Sequence, residues 1–228
     1  MVFKRRDKNF DYKLATFGTY VLKLTNVAQA YAVQSAHAKI EGPAALKRPN
    51  LLSVGVIIWL GSEFMFFSGL FAAFFTIRAT YPGKWPPGPT DLDYVQATIF
   101  SIILLLSSAT MQTAVWAMEK NNKSKARLWL IISFVMGAMF LGNQLYEWIT
   151  LPFGPSTTNY GSLFFIMSGL HGLHVLLGLV AMLGLLGRIK GPKGDPGEVP
   201  VFQAVSYYWH FVDFMWVGLF SCLFLLSL

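Results

Sequence analysis

The chain has 228 residues, 54% of them hydrophobic and 13% charged, with 20 phenylalanines, a mean hydropathy of +0.50 and a formal charge of +7. So few charges cannot cover a globule in water, which excludes a soluble protein and points to an integral membrane one. Its single cysteine, Cys222, excludes an intrachain disulfide, a thiolate metal cage and a CxxC redox pair.

Residues 1–50 read as a basic arm, with Lys4, Arg5, Arg6, Lys8, Lys13, Lys23, Lys39, Lys47 and Arg48 and no apolar run of signal-peptide length behind KRR. The arm is expected to be a cytoplasmic anchor against anionic lipid. Its scattered charges and the lack of a recognition motif speak against nucleic acid. Residues 51–228 then hold five segments long enough to cross about 30 Å of hydrocarbon as helices: 52–77, 95–118, 129–149, 161–187 and 202–227. Each is apolar around its circumference, so a strand reading loses.

Proline and glycine in YPGKWPPGP, LPFGP and GPKGDPGEVP punctuate the connections. Sixteen of the 18 lysines and arginines fall before the first span, between the second and third, or between the fourth and fifth, and only Arg78 and Lys84 fall elsewhere. That bias puts the N-terminus in the cytoplasm and the C-terminus outside. The expected fold is all-α, a membrane bundle of five helices behind the arm.

The ionisable residues within the spans are few: Glu63 in GSEFMFFSG, His171 and His174 in GLHGLHVLLG, His210 and Asp213 in YYWHFVDFMW, and Glu147 near the outer end of the third span. An ionised group at mid-bilayer costs about 2.5 to 3.5 kcal/mol, so each needs a partner, a neutral form or a role. At about 1.5 Å of rise per residue, His174 and His210 lie about 12 to 20 Å from the inner ends of their spans, and Glu63, Asp213 and His171 about 15 to 24 Å. These five share one band and are near enough in depth to touch.

The spacing of 171/174 and of 210/213 makes each pair face one direction from its helix. Four readings of the cluster stand. The His and Asp side chains can bond across helices and fix packing, helped by small residues such as Ser168, Gly172 and Gly178. His174 and His210 can ligate haem b, although each has a nearer polar explanation. A non-haem metal site lacks the Glu-x-x-His pairs of di-metal bundles. A proton or ion path through Glu63 and Asp213 would be strengthened by a continuous file of carboxylates, and none is visible. Glu63 has almost nothing nearby in sequence to stabilise its anion.

Taken together, WLGSEFMFF at 59–67, KWPP at 84–87, QLYEW at 144–148, YGSLFF at 160–165, GLHGLHVLLG at 169–178 and YYWHFVDFMW at 207–216 resemble subunit III of the haem–copper oxidases, specifically of cytochrome c oxidase. They occur in family order over about residues 48–228, and the five-span form with LKRPN and GKWPP looks nearest to the actinobacterial branch. The resemblance implies a subunit that carries no haem, copper or other redox centre, since those belong to subunits I and II. It further implies packing against subunit I, with subunit II and small accessory subunits as further partners and a larger respiratory supercomplex as a setting, bound phospholipid, and support of proton uptake and enzyme lifetime in a bacterial plasma membrane.

The family carboxylate of Ser-Glu-x-x-Phe-Phe maps onto Glu63, the packing motifs onto His171, His174, His210 and Asp213, and the family glutamate near a helix end onto Glu147. On this reading the histidines and Asp213 register the fourth and fifth spans with the first. The longer family members have seven spans with a lipid-filled cleft between the first two and the rest. This chain has the basic arm in place of those two. Within the family, the matching subunit of a quinol oxidase or nitric oxide reductase system is the alternative; outside it, a stand-alone transporter or haem-binding membrane protein.

Overall fold

The computed structural model describes residues 51–88, 92–189 and 198–227, together with Asn26 and Gln29. The arm expected over residues 1–50 lies, apart from those two, outside the described residues. Five long helices follow: α1 (Leu51–Thr80), α2 (Tyr94–Glu119), α3 (Lys123–Thr150), α4 (Asn159–Arg188) and α5 (Glu198–Leu223), with a 3-10 turn at Leu225–Ser227. No strand occurs among the described residues. The first four agree with the expected spans to within a few residues, except that α3 starts earlier than 129. The last helix ends at Leu223, before the expected limit of 227.

Local chemistry explains where helices begin. Asp93 accepts a hydrogen bond from the backbone N–H of Gln96 at the start of α2, Asn122 from that of Lys125 at α3, and Thr158 from that of Gly161 at α4. Each satisfies an N–H that the first helical turn leaves without a partner. The α2–α3 connection is a tight hairpin in which Asn121 takes a left-handed φ of 55°, a conformation asparagine tolerates better than most residues.

By length and composition α1 to α4 are able to cross a membrane, so this is a multi-pass membrane protein. The 26 residues of α5 are long enough, but Glu198, His210, Asp213 and its tyrosines leave it no stretch as apolar as the best stretches of the other four. Its position explains the difference, because α5 packs against α1, α2 and α4, while α3 covers α2 and α4. Where a helix is enclosed by its own chain, polar groups find partners. The opposite case is α1, which buries only Phe67 and Phe74 and exposes Ile57, Ile58, Met65 and Phe66, an apolar surface suited to lipid or to a partner's helix.

One ring joins four helices. Trp209 of α5 is fully buried, and its indole Nε1 donates to Ser107 Oγ of α2 at 2.9 Å. Its other edges lie against Gly137 of α3 and Gly178 of α4 so closely that a Cβ at either glycine would stand 2.7 or 2.6 Å from a ring carbon. At the end of the bundle near the α1–α2 loop, Trp85 packs edge-on to Phe74 and Tyr160, with ring centroids 5.9 and 5.6 Å apart. Tyr160 donates its hydroxyl to the Leu223 carbonyl at 2.6 Å, tying the start of α4 to the end of α5.

Candidate functional site

The six ionisable residues singled out in the sequence separate into four environments. Glu63 and His174 do meet, with Glu63 Oε2 3.3 Å from His174 Nε2, and this contact joins α1 to α4. His174 Nδ1 lies 2.7 Å from the Leu170 carbonyl, which only accepts, so Nδ1 carries a hydrogen and donates. A neutral ring then presents a bare Nε2 to a carboxyl oxygen. Two acceptors cannot bond without a proton between them, so the pair holds one, either as O–H to nitrogen or as N–H to carboxylate. In both forms the pair is neutral overall, which meets the demand of an apolar setting.

Around this pair, Tyr208 donates to the His174 carbonyl at 2.9 Å and stacks on Trp59 with parallel rings 5.4 Å apart, while Phe67 meets the His174 ring edge-on at 5.2 Å. Aromatic walls thus hold the imidazole in its rotamer.

His210 and Asp213 do not register α5 with α1 as expected; their cross-helix partners lie on α2. His210 Nδ1 is 2.9 Å from Ser108 Oγ, and the same hydroxyl donates to Asp213 Oδ2. His210 Nε2 lies 3.1 Å from Ser206 Oγ and 3.2 Å from Gln112 Oε1. Below and above this cluster, Trp209 donates to Ser107 and Trp216 to Ser101, the latter at 2.8 Å. The serines that complete these contacts were missed from sequence, although a signal exists. Two tryptophans seven residues apart on α5 oppose two serines six apart on α2, matching donors to acceptors on antiparallel faces.

His171 is placed differently from its neighbour three residues on. It is fully buried, stacks on Trp216 with centroids 4.8 Å apart, and lies edge-on to Phe140 at 5.9 Å. Neither ring nitrogen has a hydrogen-bond partner among the described residues. The expectation that it bonds across helices therefore fails, and the ring acts as a flat aromatic spacer between α3, α4 and α5. Replacing an unpartnered polar ring by an apolar one of similar shape removes a desolvation cost. His171→Phe is expected to hold or raise stability by about 1 kcal/mol, read as an unchanged or higher thermal midpoint of the purified protein, whereas a drop would show that this ring has a partner.

Glu147 stands apart from all of these. It lines a small polar pocket of about 70 Å³ between the start of α2 and the end of α3, with Asp93, Gln96, Asn143 and Thr150. Gln96 Nε2 donates to Asn143 Oδ1 there and bridges the two helices. Among the described residues no group of three or more His, Cys, Asp or Glu side chains converges as metal ligands do.

Comparison with known proteins bears on the whole chain. A family description, Cytochrome c oxidase subunit III, matches residues 2–228. The chain is similar to a probable cytochrome c oxidase subunit 3 of Nocardia farcinica, 46% identical over 183 residues that cover 79% of this chain and 90% of that one. It is 44% identical, over the same shares, to the probable cytochrome c oxidase subunit 3 of Mycobacterium tuberculosis. To the cytochrome c oxidase subunit 3 of Thermostichus vulcanus it is 35% identical over 196 residues, 86% of this chain and 97% of that one. Matches of this extent, on a helical bundle whose family motifs hold its interhelical contacts, settle the descent: the chain belongs to the cytochrome c oxidase subunit III family.

Proposed function

We infer that this chain is the non-catalytic membrane subunit of a proton-pumping cytochrome c oxidase in an aerobic respiratory chain. The observation that carries the reading is the family match along almost the whole length together with relatives that are named as that subunit. In this reading haem and copper belong to partner subunits, the chain spans a bacterial plasma membrane five times with its N-terminus in the cytoplasm, and α5 is the fifth span.

The enclosure of α5 by α1, α2 and α4 supports its spanning, because its polar groups are then shielded from hydrocarbon by the chain itself. The exposed apolar face of α1 suits packing against subunit I or lipid. An apolar groove of about 350 Å³ between α1, α4 and α5, lined by residues including Trp59, Leu177, Ala181, Val205 and Tyr208, supports the holding of phospholipid chains.

Gentle detergent extraction followed by identification of every co-purifying chain tests the assignment. Co-purification with a haem- and copper-containing subunit I and a copper-binding subunit II is the expected result. A subunit II without copper would shift the assignment to a quinol oxidase, and isolation as a single chain with its own haem spectrum would end it.

A further inference from the structure

We propose that the seam between α2 and α5 is a proton relay that connects Glu119 and Gln203, at the basic end of the helix pair, to the buried carboxylate of Asp213. This goes beyond the subunit assignment and needs only the helix pair itself. Gln203 Nε2 donates to Glu119 Oε1 at 2.9 Å, and Glu119 is exposed beside Lys120 and Lys123. One turn further in along the same face of α5 stands Ser206, and two turns in along α2 stands Gln112. The rise from Gln203 to Ser206 is about 4.5 Å, and the proposed relay places one water molecule between the two side chains. Beyond it the contacts are continuous to Asp213.

The hydrogens along this file have one consistent direction. Ser108 donates to Asp213 Oδ2, so its oxygen accepts from His210 Nδ1–H. His210 Nε2 is then an acceptor, and Ser206 O–H is its donor at 3.1 Å. When a proton arrives at Ser206, the Ser206 hydroxyl hydrogen moves to Nε2, the Nδ1 hydrogen to Ser108 Oγ, and the Ser108 hydrogen to Asp213 Oδ2. Three bonds to hydrogen break and three form downstream of the incoming proton, which replaces the Ser206 hydrogen. The products are a neutral carboxyl and a neutral imidazole in its other tautomer.

That second tautomer is also provided for. Its Nε2–H faces Gln112 Oε1 at 3.2 Å, which accepts it, while Nδ1 accepts back from Ser108. A site built only to fix packing has no need of acceptors for both tautomers. The packing task on these helices is met already by Trp209 on Ser107 and Trp216 on Ser101. Asp213 is 3% exposed, and its Oδ1 has no hydrogen-bond partner among the described residues, so the file ends there.

The helices packed against α5 bring few other ionisable groups. Glu63 of α1 is engaged by His174 of α4, and His171 is stacked on Trp216. Arg78 of α1, Tyr94 of α2, and Tyr160 and Arg188 of α4 lie at helix ends, more than a turn from Asp213. None of these bonds to Asp213.

The test is infrared spectroscopy of the purified complex that contains this chain, transferred from H2O to D2O. In the loaded state, with Asp213 as a neutral carboxyl, a C=O band that disappears in Asp213→Asn is expected to shift on deuteration. Its exchange rate should fall about a hundredfold in Ser108→Ala and return in Ser108→Thr, which keeps the hydroxyl. Ser107→Ala, which removes the Trp209 partner only, should leave the rate unchanged. Should Ser108→Ala fail to assemble, His210→Asn gives the same reading with Ser108 intact. The absence of an Asp213 carboxyl band at every pH at which the complex stays assembled, or equal rates with and without the relay hydroxyl, overturns the proposal.

Discussion

Gly178→Ala is expected to cost about 3 kcal/mol or more, at the upper end of what overpacking imposes, and to deplete the assembled protein sharply. The added Cβ would lie 2.6 and 2.7 Å from Cε3 and Cζ3 of Trp209 and 3.3 Å from Tyr208 Cε1. Relief requires the indole to move, and it has nowhere to go. Its far edge already presses on Gly137 of α3, where a Cβ would stand 2.7 Å from Cη2, and its nitrogen is bonded to Ser107 of α2. Shifting the ring therefore separates α5 from α2 or α4 from α5. Gly184, on the same helix but facing open space, provides the control, since Ala there should be harmless. The measurements are membrane yield and thermal midpoint of the purified protein. Wild-type values for Gly178→Ala would sink the account. A second check is the double variant with Trp209→Leu, in which the smaller side chain should recover part of the loss, because the two sites are coupled by contact.

This slot also marks the boundary of what the sequence reveals. Helix number, type and approximate limits follow from uninterrupted apolar runs and from Pro and Gly between them, because hydrocarbon leaves the backbone no other way to satisfy its hydrogen bonds. Depth is legible as well, since rise per residue is fixed, and the Glu63–His174 contact lies where the depth estimate allowed it. Azimuth is not. Nothing in a count of residues along α5 says whether His210 and Asp213 turn toward α1 or α2. That choice is made by which glycines admit Trp209, a property of three helices at once. The same ignorance misassigned His171, whose sequence neighbour His174 has a carboxylate partner while its own ring meets only Trp216 and Phe140. Helical spacing places 171 and 174 on broadly one side, but the roughly 60° between them is enough to send one toward α1 and the other toward α3 and α5. The assignment to the family came from whole motifs in order, which carry this packing information without displaying it.

For the α1–α4 contact, His174→Leu is expected to destabilise the protein by about 3 kcal/mol, and removing both partners in Glu63→Leu/His174→Leu to do less damage than that single change. The inversion follows from the proton inventory. In the native pair one hydrogen between Glu63 Oε2 and His174 Nε2 satisfies both groups, at 3.3 Å, with 23% and 10% of the respective side chains exposed. Take away the imidazole and the carboxyl keeps its polarity but loses its partner, on a helix surrounded by phenylalanines. Take away both and the two leucines fill an apolar site bounded by Phe67 and the Trp59–Tyr208 stack. Glu63→Gln should fall between, because the amide still donates to Nε2 through its N–H. Thermal midpoints of the four proteins, purified in the same detergent, decide the order. If the double variant is the least stable of the set, the contact contributes favourable energy of its own, and the view of it as a mutually neutralised pair retained at little net gain is wrong.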